Sequence, residues 1–188
     1  MATTASQVQV PAAGTYTLDP ARSSVAFSTK HMFGAGTVRG TFAVKSGQVE
    51  ITDPPVGSSV RAEVHADSFA SGNRQRDKDV RSKKLLHAKE FPVLSLDAAD
   101  ISKEIDGPWR LRGTLTVRGV SAPLELTITS AAASEGTLTV TAVGDVDRYA
   151  HGITAFKGMA ARRLQIEIKA TATHVSQFSP ESRDAARA

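Results

Sequence analysis

Cysteine and histidine, two residue types that often serve in catalysis and metal binding, are absent or widely spaced in this chain. There is no cysteine, and the five histidines are scattered along the sequence: His31, His65, His87, His151 and His174. None of them forms an HxH or HExxH pair, the spacings that place two ligands on one metal ion. Gly34-Ala35-Gly36 is too short for a phosphate-binding loop and lies between two predicted strands, not before a helix. The sequence therefore indicates no catalytic residue, no metal site and no cofactor.

His31 has the most informative position of the histidines. It continues the apolar parity of Val25 and Phe27, just before a glycine-rich turn. A polar group on an apolar face needs a hydrogen-bonding partner. His31 is therefore either a hydrogen-bonded core residue or a polar group at the mouth of a cavity, where it contacts a ligand head group. Asp145 and Asp147 also share one strand face, a pattern more typical of a solvated strand edge than of a catalytic carboxylate pair.

The elements that must position these groups alternate between apolar and polar residues with the period of a β-strand. In the clearest case, Leu111, Leu115 and Val117 share one parity, and a new run with Leu124 and Leu126 begins after a break at 119–121. A glycine between two alternating runs predicts a tight turn that joins antiparallel strands. The same period predicts further strands at 25–31, 38–44, 58–67, 94–103, 138–146 and 164–173.

The stretch 73–86 breaks this pattern and is rich in helix-forming residues. Asn73 is a suitable N-cap, so we predict one short surface helix here. Its many basic residues are typical of a solvated helix with internal ion pairs, and a membrane-surface contact is the alternative. Nucleic-acid binding is not expected, because 74–86 contains no aromatic residue that could stack on a base.

Roughly eight strands and one short helix predict an all-β domain, an antiparallel sheet closed into a barrel. A β-sandwich is the rival architecture, since alternation alone does not separate the two. The small apolar residues on the inner face either line a ligand tunnel or let the sheet coil tightly. We expect a disordered leader over 1–14, the barrel domain over 15–175 and a flexible charged tail over 176–188.

Composition narrows the class of protein further. Hydrophobic residues make up 40% of the chain and charged residues 22%, which is ordinary for a soluble globular domain. No apolar run approaches the roughly 20 residues of a spanning helix. The N-terminal segment has neither the basic nor the apolar region of a signal peptide, so a cytoplasmic location is expected. The net charge of +4 suits an anionic partner or simply maintains solubility.

Several short motifs, in order and at suitable spacing, resemble those of the YceI-like family over residues 15–175. The first half contributes three of them: Phe27 and His31 with Val38, Gly40 and Phe42; Ser68 with Arg76-Asp77 and Val80-Arg81-Ser82; and Phe91-Pro92. The second half contributes Gly113, Leu115-Thr116 and Gly119-Val120-Ser121, followed by Arg148 and Gly152. The chain departs from the family pattern at Asp79, where histidine is common, and at Leu85-Leu86-His87.

The resemblance implies an extended, lipocalin-like barrel with an apolar tunnel and one helix near its rim. A polyisoprenoid lipid or an isoprenoid quinone would occupy the tunnel, without turnover. From their common parity we expect six residues to line it: Phe27, Phe42, Val64, Leu115, Leu126 and Val140. The polar candidates for contact with a head group are His31, Arg76, Asp77 and Arg148. Peripheral membrane contact and a homodimer complete the expected partners.

Two other functions stay open from the sequence. The first is an enzyme acting on a small amphipathic substrate within the barrel, which would need a titratable pair such as His31 with Asp77. The second is a structural or stress-related module whose core is filled. A cavity and bound lipid would distinguish the carrier from the module, and pH-dependent turnover would identify the enzyme.

Overall fold

The computed structural model describes residues 8–31, 36–103, 105 and 107–175, and for His31 it describes the backbone alone. Strands dominate this part of the chain. In order they are β1 (Gly14–Leu18), β2 (Ser24–His31), β3 (Gly36–Ile51), β4 (Ser59–His65), β5 (Val93–Lys103), β6 (Trp109–Val117), β7 (Val120–Ser134), β8 (Thr137–Asp147) and β9 (Arg163–His174). The described helix, α1 (Arg74–Arg81), lies between β4 and β5.

The strands form one antiparallel sheet that closes on itself. Each strand from β2 to β9 pairs with the next, and β9 pairs with β2, where Val25 lies opposite Ile168. The short β1 also pairs with β3 and β9, at the ends of those two strands that β2 does not reach: residues 48–51 of β3 and 172–174 of β9. β1 and β2 therefore share one position, and the ring has eight. The predicted eight-stranded barrel is confirmed, and closure excludes the sandwich because it leaves no break between two sheets.

Three long strands each contain one shift of register. The shifts lie between Val44 and Ser46 in β3, between Ala98 and Asp100 in β5, and between Ile128 and Ser130 in β7. An extra residue at a bulge bends the strand and changes the parity of the side chains that follow. The run predicted at 38–44 and the apolar residues Val49 and Ile51 consequently belong to one bent strand, with their side chains on the same inner face.

The connections between strands gather at two ends of the barrel. We call one the helix end, formed by the connections 66–92, 118–119 and 148–162. The other is the terminal end, formed by residues 8–13 and by the connections 52–58 and 135–136. Antiparallel neighbours alternate in direction, so successive connections fall at opposite ends. This arrangement determines which parts of the cavity lie near which loops.

The predicted helix and the predicted central turn need correction in their bounds. The helix ends at Arg81 instead of continuing to Leu86, because the Ser82 backbone is extended and its N–H turns back to the Asp79 carbonyl. Asn73 is the N-cap as predicted, and its side chain accepts a hydrogen bond of 3.0 Å from the Arg76 N–H. The tight turn lies at Arg118-Gly119, where φ is 53° and 73°, one residue earlier than predicted. Positive φ at both positions suits a two-residue hairpin.

Residues 8–14, which the sequence assigned to a disordered leader, lie against the barrel at the terminal end. The Gln9 N–H donates to the Ala131 carbonyl at 2.9 Å, and the Tyr16 hydroxyl donates to the Ala12 carbonyl at 2.9 Å. Residues 1–7 and the tail 176–188 lie outside the described part, so their assignment stays a prediction. Within the described ranges, no helix has the length and apolar character needed to cross a membrane.

Candidate functional site

A cavity of about 280 Å³ runs along the barrel axis. Leu86 and Ile153 line it at the helix end, and Val10 and Pro11 line it at the terminal end. The six residues predicted to line a tunnel all do so: Phe27, Phe42, Val64, Leu115, Leu126 and Val140. Their agreement follows from the strict period of a strand, which assigns every second residue to the inner face. Their contact with a ligand stays a prediction.

The cavity wall is almost entirely apolar. Polar residues line it at a few places, namely Gln9, Ser23, Ser58, Ser95, Arg148, His151 and Lys169. The rest of the lining comes mainly from valine, leucine, isoleucine and phenylalanine, with Trp109 near the terminal end. A wall of this kind binds an apolar chain through burial of surface instead of directional bonds.

The helix end of the cavity is closed by packed side chains. Phe69, which is 1% exposed, lies with its ring centroid 5.1 Å from Phe27 and 5.2 Å from Phe42. Gly40 permits this packing, since a Cβ at that position would lie 2.6 Å from the Phe27 ring. At the terminal end, by contrast, the lining residue Val10 is 51% exposed. The cavity therefore reaches the surface at the terminal end.

Arg148 lies in the cavity wall but uses its guanidinium to hold a loop. It is 5% exposed and donates to the carbonyls of Ile153, Ala155, Ala160 and Ala161 at 2.6–3.0 Å. Burial lowers the pKa of the Arg148 guanidinium. These four acceptors bracket the segment 153–161, so Arg148 fixes the loop that covers the helix end. The donors predicted for a ligand head group are thus largely occupied by backbone carbonyls.

Arg76 and Asp77 are not among the residues that line the cavity. The Asp77 carboxylate accepts hydrogen bonds from the Ser71 N–H at 2.9 Å and from the Ser71 hydroxyl at 2.6 Å. Arg76 is half-buried, and its Nε is buried without a hydrogen-bond partner among the described residues. Both residues lie in the first turn of the helix, and neither side chain reaches the cavity. The geometry therefore does not support the head-group role predicted for them.

His31 is the last of the predicted polar candidates. Its backbone pairs with Gly36 at the end of β2, and its side chain lies outside the described part of the structure. The predicted head-group contact of His31, and its pairing with Asp77 in an enzyme, therefore stay untested.

His151 is a polar residue of the cavity wall that the sequence analysis did not select. It is 3% exposed, and its Nδ1 lies 2.9 Å from the Val120 carbonyl. The turn 148–151 places it beside Gly152, whose φ of 70° ends that turn. The sequence signal that could have identified it was the family motif formed by Arg148 and Gly152, since His151 lies between these two residues. Only the fold shows that the side chain between them faces inward.

The acidic residues of β8 do not form a catalytic pair. Asp145 is exposed, whereas Asp147 accepts from Arg162 at 2.8 Å and from the Tyr149 N–H at 3.0 Å. The hydrogen bond from Arg162 is the main reason that the pKa of Asp147 lies below its usual value. Among the described residues, no group of three histidine or acidic side chains could hold a metal ion.

A closed antiparallel barrel with an axial apolar cavity defines a lipocalin-like class of β-barrel. The chain belongs to the YceI-like family, whose model, described as a YceI-like domain, matches residues 16–172. A UPF0312 protein of Yersinia pestis is 28% identical over 103 residues, which are 54% of this chain and 53% of that protein. The match thus spans about half the length of the curated relatives.

Solved structures show the same fold. The Burkholderia cenocepacia protein BcnA superposes with a TM-score of 0.74 at 22% identity, over 83% of this chain and 99% of BcnA. A polyisoprenoid binding domain from Saccharophagus degradans, implicated in plant cell wall breakdown, gives a TM-score of 0.61 at 12% identity, over 85% and 98% of the two chains. A Campylobacter jejuni YCEI protein gives 0.52 at 18% identity, over 69% and 80%.

Proposed function

We propose that this protein binds a polyisoprenoid lipid, such as a polyprenol or an isoprenoid quinone, in the axial cavity and does not transform it. The observation that carries the proposal is the apolar cavity, closed at the helix end and open at the terminal end. Membership of the YceI-like family supports it. So does the similarity in fold to a domain that is described as polyisoprenoid binding.

The shape of the cavity suits a linear apolar chain. On β8 the lining residues extend from Leu138 to Val146, eight residue steps, or about 26 Å of strand at about 3.3 Å per residue. A strand tilt of about 40° reduces this to about 20 Å along the barrel axis. Each methylene-sized group buried contributes about 0.8 kcal/mol. Several isoprene units can therefore supply the binding free energy without specific polar contacts.

A non-catalytic role fits the polar groups of the wall. Arg148 donates to four backbone carbonyls and His151 to one, so neither is part of a described nucleophile–base pair. Catalysis would also require the nucleophile and the base to lie within hydrogen-bond reach of each other. A binding protein needs no such arrangement.

We expect freshly purified protein to carry bound lipid. Native mass spectrometry of the full chain is expected to show an added mass that is lost on denaturation, and solvent extraction is expected to recover a prenyl lipid. The physical reason is that an open apolar cavity of about 280 Å³ retains an apolar chain in preference to water. A protein without added mass that also fails to bind an added polyprenol would contradict the proposal.

We also propose that the terminal end contacts the lipid bilayer from which the ligand comes. Four large apolar side chains at this end are exposed, Val10 (51%), Val56 (58%), Ile105 (97%) and Val175 (45%). They come from four separate segments at the same end of the barrel, and Val10 among them also lines the cavity. Exposed apolar residues around a mouth mark a lipid or partner contact, and the lipid ligand favours a bilayer here.

The charges at the terminal end indicate which lipids this contact accepts. Glu50, Asp53 and Glu135 are exposed there, with Lys103 as an exposed base. An acidic rim is repelled by anionic lipids, so the contact relies on apolar insertion into a zwitterionic surface. The basic helix α1, the membrane contact predicted from the sequence, lies at the opposite end of the barrel and is the competing docking face.

Replacing both Val56 and Ile105 with serine is expected to weaken binding to phosphatidylcholine vesicles by about tenfold, because two apolar side chains no longer insert. The matched control is Phe156→Ser with Met159→Ser, which removes two exposed apolar side chains at the helix end. Vesicle sedimentation at low and high salt measures both. If only the control variant loses vesicle binding, and if binding by the unmodified protein falls strongly at high salt, the helix end is the docking face instead.

The location in the cytoplasm and a homodimer stay predictions from the sequence.

A further inference from the structure

We infer that His151 forms a hydroxyl-binding subsite at the closed end of the cavity and orients the lipid with its head group innermost. The inference rests on the proposed function, because it assumes a lipid in the cavity. It concerns the chemical class of the head group and the direction in which the lipid enters.

The hydrogen bond of His151 determines which ring nitrogen is available. A carbonyl oxygen can only accept, so Nδ1 carries the proton in the bond of 2.9 Å to the Val120 carbonyl. In the neutral ring, Nε2 is then an acceptor that points away from Val120. Among the residues that the structure describes, Nε2 has no hydrogen-bond partner. His151 thus presents an unsatisfied acceptor in a side chain that is 3% exposed.

The surroundings of His151 offer no substitute partner. Three buried lining residues at the helix end, Leu86, Val117 and Ile153, have no polar side-chain atom. Ser95 also lines the cavity near this end, but it lies opposite Glu63, whose side chain is 43% exposed, and so has the outward parity. Arg148 lies in the same turn, but its donors are directed at the carbonyls of 153–161. A donor on a bound ligand can form a hydrogen bond to this free acceptor, and a ligand without a donor cannot. On the inner face at the closed end, Nε2 of His151 is therefore the side-chain acceptor that is available to a ligand.

The complement of a lone acceptor is a hydroxyl group. A polyprenol or a quinol carries such a donor, whereas a prenyl ether, a prenyl hydrocarbon and an oxidised quinone do not. With its hydroxyl at His151, the lipid directs its tail along the apolar wall toward Val10 and Pro11 at the terminal end. A tail longer than the cavity then extends out of the mouth, where exposed apolar side chains can cover it.

The decisive comparison uses geranylgeraniol and its methyl ether, which share one tail and differ in the hydroxyl donor. We expect the full-length protein to bind the alcohol about fivefold more tightly than the ether, the size of a typical hydrogen bond. In His151→Phe this preference is expected to vanish, because the ring stays but the acceptor is lost. In His151→Gln part of it is expected to remain, because the amide oxygen still accepts.

His65→Phe is the matched control, since His65 is exposed and does not line the cavity. It is expected to keep the preference of the unmodified protein. Equal binding of alcohol and ether by the unmodified protein, or an unchanged preference in His151→Phe, overturns the subsite and leaves the carrier function standing. Absence of binding for both ligands overturns the carrier function as well. If His151→Phe does not fold, the comparison of the unmodified protein with His151→Gln decides the matter.

Discussion

Replacing Val140 with tryptophan is expected to remove most of the bound lipid from the protein. Val140 lines the cavity on β8, between Ala131 and Ala170 on the neighbouring strands. An indole ring there occupies much of a cavity of about 280 Å³ and excludes the chain beyond it. Each excluded methylene-sized group costs about 0.8 kcal/mol of binding. Loss of a few of them weakens binding by more than about tenfold.

Val143→Trp is the matched control for this substitution. Val143 lies on the same strand with the opposite parity, is 37% exposed and faces outward. Native mass spectrometry and a prenol titration measure both variants, and circular dichroism checks that both are folded. Full lipid retention by Val140→Trp would show that the ligand lies elsewhere, while equal loss in both variants would indicate a general effect on the barrel.

Replacing Arg148 with methionine is expected to cause the largest loss of stability. Arg148 donates four hydrogen bonds to the carbonyls of 153–161 while almost fully buried. Each carbonyl left buried and unpaired costs about 1–3 kcal/mol. Part of the loop can move to water, so we expect a loss of at least about 3 kcal/mol in the free energy of unfolding. Urea denaturation monitored by Trp109 fluorescence measures it.

Two further variants separate the geometry of Arg148 from its charge. Arg148→Lys keeps the charge but cannot replace the planar fork of donors, so only partial recovery is expected. Arg162→Met removes an arginine whose side chain is 62% exposed and pairs with Asp147 at the surface. Its effect is expected to be far smaller. A comparable loss for Arg162→Met would show that the surface pair, not the buried guanidinium, holds the loop.

The strands and their inner faces could be predicted from the sequence because they depend on near neighbours. The alternation of Leu111, Leu115 and Val117 fixes which side chains share a face, whatever the rest of the chain does. The same local rule identified Phe27, Phe42, Val64 and the other wall residues. The Asn73 cap and the hairpin glycine were likewise local signals. The resemblance of the short motifs to the YceI-like family predicted that the barrel is lipocalin-like.

Position along the barrel axis was not predictable in this way. Parity assigns a residue to the inner face but does not say whether it lies at an open or a closed end. That depends on contacts such as Phe69 against Phe27 and Phe42. The candidates Arg76 and Asp77 were placed near a rim by their helix, yet the fold puts that helix at the closed end, outside the wall.

The roles of the polar wall residues were decided by contacts between distant parts of the chain. His151 meets a carbonyl 31 residues away, and the pairing of β7 with β8 brings those two segments together. Arg148 was visible in the sequence as a cation, but its four acceptors are backbone carbonyls, which carry no sequence signature. The sequence by itself thus determined the strands, their inner faces and the apolar character of the cavity. Tertiary structure alone decided which end is closed and which polar side chains line the cavity, because both depend on long-range packing.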